Sequence, residues 1–266
     1  QLEELGLLKM DFLGLRTLTV LKDAVKNVKA SQGIDIDIDH IDLNDKKVLD
    51  FIGTGRTEGA FQLESAGMKN FMKELKPQNF EDIVAGISLY RPGPMDFIPN
   101  YIRGKNNADT VTYVTPELQP ILEPTYGCIV YQEQVMQTAQ VIGGFSLAQA
   151  DTLRKAMSKK KLDVMQNLKE QFILGARKNR IKDSVSNEIF SIMEQFAGYG
   201  FNKSHSYAYS LVAYQMAYLK ANYPLYFYQS LLNSVIGSGI KTSQYIYECK
   251  RRNIVVNGCD INHSKA

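Results

Sequence analysis

The sequence predicts a mainly α protein with a small mixed α/β part at its N-terminal end. Three observations carry that reading. Beyond Tyr131 the apolar residues recur at helical spacing with few interruptions. Between Arg91 and Gly127 prolines and glycines cluster and forbid long elements. Ahead of both, the short apolar run LLKMDFLG is bounded by Gly6 and Gly14 and reads as a strand.

Taken in order, the Gly6–Gly14 run holds a single acid, Asp11, which needs a reason for being there. A helix follows at once over Arg16–Ser31, with Leu18, Leu21, Val25 and Val28 at helical spacing. Asp35–Asp50 is acidic and alternates, which fits a short exposed strand or connector leading into a helix from about Asp45 to Ile52, with Gly53 as its stop. The stretch GAFQL precedes a helix near Ser65–Leu75, and Asn79 caps a further one that runs to Leu89. Arg91-Pro92-Gly93-Pro94 ends it, and Pro99, Pro116, Pro120 and Pro124 mark a loop-rich middle that closes with a strand at Cys128–Tyr131. After that, helices are expected near 131–142, 146–158, 162–179, 184–197, 204–222, 224–236 and 242–252. Ser146 and Gln149 form a capping-box pair for the second of these. No repeat of 20 to 50 residues is visible.

With 266 residues, 44% hydrophobic and 22% charged, the composition is that of an ordinary globular protein and excludes wholesale disorder or a collagen-like fibre. The longest apolar stretches are interrupted by Gln215, Lys220 and Gln229 well short of the ~20 residues that span a bilayer. A soluble, cytoplasmic protein with no membrane partner is expected. Gln1 and the acids Glu3 and Glu4 do not resemble a secretion signal, and the chain reads as a piece of a longer one. Three cysteines, Cys128, Cys249 and Cys259, form no CxxC pair and fit a reducing compartment better than a disulfide framework. Cys259 and His263 have a zinc-like gap, with Cys249 a third candidate, but the second close pair is missing, so ordinary thiols are the favoured reading.

The formal charge is only +3, yet its distribution is uneven. From Ala150 to Lys182 ten Lys or Arg face three acids, a local +7 that suits a phosphate-bearing partner. In the helix at 146–158, Leu147, Ala150, Leu153, Ala156 and Met157 form the apolar stripe. Arg154 sits at its edge and Lys155 and Lys159 line another flank. A solvated basic face and a polyphosphate grip both fit this pattern. The helix at 204–222 is apolar on two faces, Tyr207, Leu211, Tyr214 and Tyr218 on one and Tyr209, Val212, Met216 and Leu219 on the other, so it should be buried. Its start holds Asn202, Lys203, Ser204 and His205, where free N–H groups and a lysine together would attract an anion. An ordinary N-cap beside a chance lysine fits the same spacing.

Three weaker patterns resolve toward bland readings. Asp35, Asp37 and Asp39 share one face of a strand, but no further ligand accompanies them, and an acidic solvated connector is favoured. GTGRTEG at Gly53–Gly59 lacks the lysine of a phosphate loop and breaks dinucleotide spacing, so it is a glycine-dependent turn. Ser204 and His205 are helix neighbours that point about 100° apart, so they form no nucleophile–base pair.

Several long motifs together carry a family resemblance: LLKMDFLGLRTLT (Leu7–Thr19), GAFQLES (Gly59–Ser65), YRPGP (Tyr90–Pro94), EPTYGCIVYQEQVMQ (Glu123–Gln137), LRKAMSKKK (Leu153–Lys161) and FAGYGFNKSHSYAY (Phe196–Tyr209). In this order they resemble the bacterial DNA polymerase III alpha subunits, the C-family replicative polymerases, in the branch without an internal exonuclease. The resemblance covers essentially the whole chain. It implies the end of the palm domain at 1–15, the helical fingers domain at 16–252, and the start of the connection to a helix-hairpin-helix region at 253–266.

The same resemblance implies roles. Asp11 matches the third catalytic aspartate of the palm, a ligand of the two Mg²⁺ ions that drive nucleotidyl transfer. The motif holding the other two aspartates is absent, and Asp35–Asp39 lies on the wrong side of Asp11 to replace it. Arg154, Lys155, Lys159, Lys160, Lys203, Ser204 and His205 match positions that contact the incoming nucleotide, chiefly its triphosphate, with Arg91 a weaker candidate. Lys155 stands where many relatives have arginine, so it keeps the charge without the bidentate fork. The implied partners are primer–template DNA and dNTP, and in the full-length polymerase the sliding clamp and other replisome subunits. The piece alone is expected to be inactive. A stand-alone helical DNA-binding module or a protein-interaction module are the alternative readings.

Overall fold

The computed structural model describes residues 5–8, 10, 12–158, 162–197, 199–258, 260–262 and 264. Among them the regular structure is helical: α1 Arg16–Gln32, α2 Lys46–Gly53, α3 Ala66–Leu75, α4 Phe80–Leu89, α5 Ile98–Asn106, α6 Gln119–Leu122, α7 Gln132–Gly143, α8 Leu147–Ser158, α9 Leu162–Lys178, α10 Asp183–Ala197, α11 Lys203–Asn222, α12 Pro224–Ser234 and α13 Gly239–Arg251, with short 3₁₀ turns between. The mainly α class holds. The mixed α/β part at the N-terminal end is not found: no strand forms among the described residues of Gly6–Gly14, and Leu7, Leu8, Met10, Phe12 and Leu13 are exposed.

The acidic segment after α1 is the connector of the two readings, and one other expected strand is replaced. Ile38–His40 forms a 3₁₀ turn, with His40 Nδ1 2.8 Å from Asp37 Oδ2, because a local side-chain bond competes with extended backbone. At Cys128–Tyr131 the extended chain pairs, among the described residues, only with Phe201, giving one isolated parallel bridge between Tyr131 and Phe201. The proline-rich middle also holds more helix than expected. Pro99, Pro116, Pro120 and Pro124 each occupy the first turn of a short helix, where a missing N–H costs nothing. Gly53 belongs to α2 rather than stopping it, and Thr54 takes the cap, donating its N–H to Asp50 at 3.1 Å.

The chain divides into two compact units. The first comprises Gln1–Asp42, Thr57–Glu64 and Val212–Ala266. Here α1 packs on α12, burying Val20, Leu21, Ala24 and Val28 against a face that includes Phe227 and Leu231, while Leu18 turns outward. Arg16 Nη1 donates to the Ser234 carbonyl at 2.9 Å, one of the orphan acceptors at the end of α12. Lys220 is fully buried in this unit. Its Nζ donates to the Glu58 carbonyl at 2.5 Å, lies 3.9 Å from Glu248 Oε1 and faces the rings of Phe227 and Tyr228.

The second unit comprises Leu43–Arg56 and Ser65–Leu211. Its core is the bundle α7–α10, built on Val135, Ala139, Ile142, Ala150, Leu153, Phe172, Phe190 and Met193. The α8 stripe is as expected except at Leu147, which is exposed in the first turn. The capping box is present: Ser146 N–H donates to Gln149 Oε1 at 2.9 Å, and Gln149 N–H donates to Ser146 Oγ at 3.3 Å. α11 contributes its start to this unit and its remainder to the first. Tyr214, Met216 and Leu219 are buried, whereas Tyr207 is exposed, contrary to expectation. Gly55 and Gly59 adopt φ of 66° and 75°, the backbone that GTGRTEG requires of glycine.

Candidate functional site

The geometry is organised by the Tyr131–Phe201 bridge. Gln132 N–H donates to the Phe201 carbonyl at 3.0 Å, and Phe201 N–H donates to the Val130 carbonyl at 3.2 Å. These two bonds set the starts of α7 and α11 side by side. Gln134 holds the α7 end in place: its Oε1 accepts from Val130 N–H at 2.8 Å and Tyr131 N–H at 3.0 Å, and its Nε2 donates to Thr125 Oγ1 at 2.7 Å. A buried glutamine with its donors and acceptor so engaged rigidifies the turn beneath the site.

At the start of α11, Asn202 is the cap, its Oδ1 accepting from His205 N–H at 2.8 Å. Lys203 N–H donates to both carboxylate oxygens of Glu133, at 3.1 Å each, and Asn202 Nδ2 donates to Glu133 Oε1 at 3.1 Å. The Lys203 ammonium lies 3.0 Å from Glu81 Oε2 and 5.2 Å from the centre of the Tyr131 ring. Ser204 and His205 are exposed. The His205 ring sits between Phe201, edge-on at 5.4 Å, and Tyr209, tilted at 4.3 Å.

Arg91 reaches the same bridge from the end of α4. Its Nε donates to the Ser88 carbonyl at 2.9 Å, its Nη2 donates to the Tyr199 carbonyl at 2.7 Å, and the guanidinium carbon lies 4.2 Å over the Phe201 ring. Partial burial lowers its pKa from the usual arginine value. From α8, Arg154 donates through Nη1 to Gln132 Oε1 at 3.2 Å and through Nε and Nη2 to Asp151 Oδ1 at 2.9 and 2.7 Å. Lys155 Nζ lies 2.6 Å from the second oxygen of Asp151. Hydrogen bonds from Lys155 and Arg154 hold the Asp151 carboxyl below its ordinary range.

The structure thus brings Arg91, Lys203 and His205 onto one bridge and ties Arg154 to it through Gln132. Lys155 shares Asp151 with Arg154 and points into solvent. Asp11, Lys159, Lys160, Cys259 and His263 lie outside the described residues. Reasoning from sequence missed Phe201 and Tyr209 as ring partners and Glu133 as the acid at the start of α11. Glu133 stands in EPTYGCIVYQEQVMQ and Phe201 in FAGYGFNKSHSYAY, so the signal was present without a partner to read it against. Among the described residues no three of His, Cys, Asp and Glu gather where a metal ion could be held.

Comparison with known proteins identifies the family of the chain. Residues 17–180 match the family described as the bacterial DNA polymerase III alpha subunit finger domain. The chain is 48% identical over 262 residues to DNA polymerase III subunit alpha of Staphylococcus aureus (strain COL), covering 98% of this chain and 25% of that protein. It is 51% identical over 263 residues to the subunit of the same name from Borreliella burgdorferi (strain ATCC 35210 / DSM 4680 / CIP 102532 / B31), covering 99% of this chain and 23% of that one. The chain therefore spans about a quarter of the length of the curated relatives it matches. It belongs to the family of bacterial DNA polymerase III alpha subunit finger domains.

Proposed function

We propose that this chain is the fingers portion of a DNA-directed DNA polymerase and that its bridge-centred cluster binds the incoming dNTP over the primer–template. The observation that carries this reading is the convergence of Arg91, Arg154, Lys203 and His205 on the Tyr131–Phe201 bridge from three separate places, the end of α4, α8 and the start of α11. Cations gathered around a row of rings, Phe201 and Tyr209 half-buried and His205 exposed, suit a ligand with a polyanionic end and a flat end. Lys203, Arg154 and Lys155 would offset triphosphate charge, with Lys159 and Lys160 continuing the same basic run. His205 and Tyr209 present the ring surface. Ser204, exposed at the second position of α11, offers its N–H and hydroxyl to the same anion.

In this reading 1–15 ends the palm, 16–252 is the fingers and 253–266 begins the connection to a helix-hairpin-helix region. The exposed apolar side chains of Leu7, Leu8, Met10, Phe12 and Leu13 support a palm strand whose sheet neighbours lie elsewhere in the polymerase. Asp11 in that strand would be one carboxylate ligand of the Mg²⁺ ions. A single carboxylate does not build such a site, so the metal chemistry rests on aspartates beyond this chain. What this chain supplies is positioning and charge. Sliding-clamp and other replisome contacts, and a cytoplasmic location, belong to the full-length polymerase. No described helix is long and apolar enough to cross a membrane.

The test is a dNTP titration of this chain, wild type against Arg154→Ala and Lys203→Ala, at two salt concentrations. Binding lost in both variants supports the reading, whereas binding that survives both overturns the site. Primer extension by the chain alone is expected to be absent.

A further inference from the structure

We propose that Glu133 is a resident stand-in for a substrate phosphate, occupying the start of α11 until the nucleotide displaces it, and that Glu81 does the same for the Lys203 ammonium. This rests on the nucleotide reading above and adds a specificity role for two carboxylates that the motif comparison leaves unassigned.

The start of a 20-residue helix presents unpaired N–H groups and positive potential, and it favours an anion. Here that anion is already present. The Glu133 carboxylate takes the Lys203 N–H with both oxygens at 3.1 Å and the Asn202 side-chain amide at 3.1 Å, the donors a phosphate oxygen would use. Glu81 holds the Lys203 ammonium at 3.0 Å, with both side chains well exposed at 39% and 47%, so the pair is open to exchange. Tyr131 supplies an independent observation: its hydroxyl is buried with no hydrogen-bond partner, although its ring lies under the Lys203 ammonium. A buried unpartnered donor is costly, and it leaves the residue under the Lys203 ammonium incompletely satisfied in this state.

Exchange has a clear electrostatic logic. A single carboxylate orients the cations and the helix start, yet it binds them more weakly than a triphosphate carrying several charges. Inorganic phosphate, with fewer charges, gains less by displacing it. The stand-ins would thus keep the site formed and discourage small anions. Displacing Glu133 would also be felt next door, since Gln132 in the same turn accepts from Arg154.

The experiment uses the polymerase that carries this sequence, bound to primer–template with a dideoxy-terminated primer, and measures the dissociation constants of the next correct dNTP and of inorganic tripolyphosphate. Glu133→Gln keeps an acceptor for the Lys203 N–H and removes the charge. The expected result is dNTP binding tighter by about threefold to tenfold, with a larger gain for tripolyphosphate, the scale of one like charge removed at close range. Glu81→Gln, on an exposed side chain, is expected to act in the same direction and serves if the first variant folds poorly. Unchanged or weaker binding in these variants, tracking any loss of melting temperature, makes Glu133 a helix cap only and overturns the proposal. Lys203→Ala is the control: unchanged dNTP binding there overturns the nucleotide reading itself, whereas weakened binding with no gain from either Gln variant overturns only the stand-in role.

Discussion

Lys105 lies 3.5 Å from Asp82 with both side chains 1% exposed, a buried ion pair in the second unit. Asp82 is held from several sides: Oδ2 accepts from Gln78 N–H at 2.8 Å, and Oδ1 accepts from the hydroxyls of Tyr101 and Tyr126 at 3.3 Å each. Lys105 also donates to the Lys76 carbonyl at 3.0 Å. Charges so enclosed are tolerable only when paired and hydrogen-bonded. Removing one partner strands the other, so Asp82→Ala or Lys105→Ala is expected to cost about 3–5 kcal/mol, whereas replacing both with apolar residues of similar volume costs far less. Urea unfolding of the single and double variants checks this, since independent contributions would make the double variant the worst.

The same cluster sets an alkaline limit. Burial and the Asp82 charge push the Tyr126 phenol up to about 12, and burial pushes the Cys128 thiol up to about 11. Each group keeps its proton in the folded chain at a pH where the unfolded chain has lost it. The folded state then binds more protons, and stability falls as pH rises. For Cys128 the loss starts near its ordinary value of 9.0 and continues to about 11; for Tyr126 it runs from 10.0 to about 12. Below pH 9 neither group contributes a slope. Unfolding free energies between pH 8 and 12 are expected to be flat and then to decline, with a shallower decline in Tyr126→Phe. Alkylation of Cys128 in the folded protein at pH 8 should be far slower than in the unfolded chain.

How much of this was legible in the sequence depended on how local the cause was. The Ser146–Gln149 box, the Asn79 cap and the long helices from Arg16 onward follow from residues three or four apart and are found within a few residues of their expected bounds, whereas the short helices α5 and α6 of the proline-rich middle were not expected. Strand readings failed because a strand is stabilised by its neighbour. Cys128–Tyr131 pairs with Phe201, some seventy positions on, and pairing at that separation leaves no periodic signature. The site was half legible. Cationic residues declare themselves by type, so Arg91, Arg154 and Lys203 could be picked out. Their partners Glu133, Gln132 and Phe201 are ordinary residues whose meaning is geometric.

A second packing constraint lies where α7 and α9 cross. A Cβ on Gly175 would stand 1.8 Å from the Gly143 carbonyl oxygen, and one on Gly143 would stand 2.4 Å from the Phe172 ring. Backbone cannot swing aside as a side chain does. Gly175→Ala should therefore separate the helices and destabilise by at least the ~1–3 kcal/mol typical of overpacking, despite alanine's better helix propensity. Gly239→Ala, where a Cβ meets nothing, is the matched control and is expected to be neutral or slightly stabilising. Comparing their melting temperatures separates packing from propensity.

Arg91 is the candidate whose geometry argues most clearly for positioning rather than direct contact. Its Nε and Nη2 are donated to the Ser88 and Tyr199 carbonyls, and its plane lies over Phe201, so the head group clips the end of α4 to the segment that leads into α11. Gly93 beside it, at φ 101°, leaves no room for a Cβ against the Tyr199 ring, which fixes that segment from the other side. Lysine cannot reproduce a fork that bonds two carbonyls while stacking on a ring. Arg91→Lys is expected to lose about 1–2 kcal/mol of stability from the two hydrogen bonds and the cation–π contact. Any loss of nucleotide affinity should then follow the misplacement of Phe201 and His205, with a salt dependence unchanged from wild type. A direct phosphate ligand such as Lys203 behaves differently, because its removal flattens the salt dependence of binding. Dissociation constants for dNTP at several salt concentrations, measured for Arg91→Lys, Arg91→Ala and Lys203→Ala, decide between the two roles: a flattened slope in Arg91→Ala would make Arg91 a ligand after all.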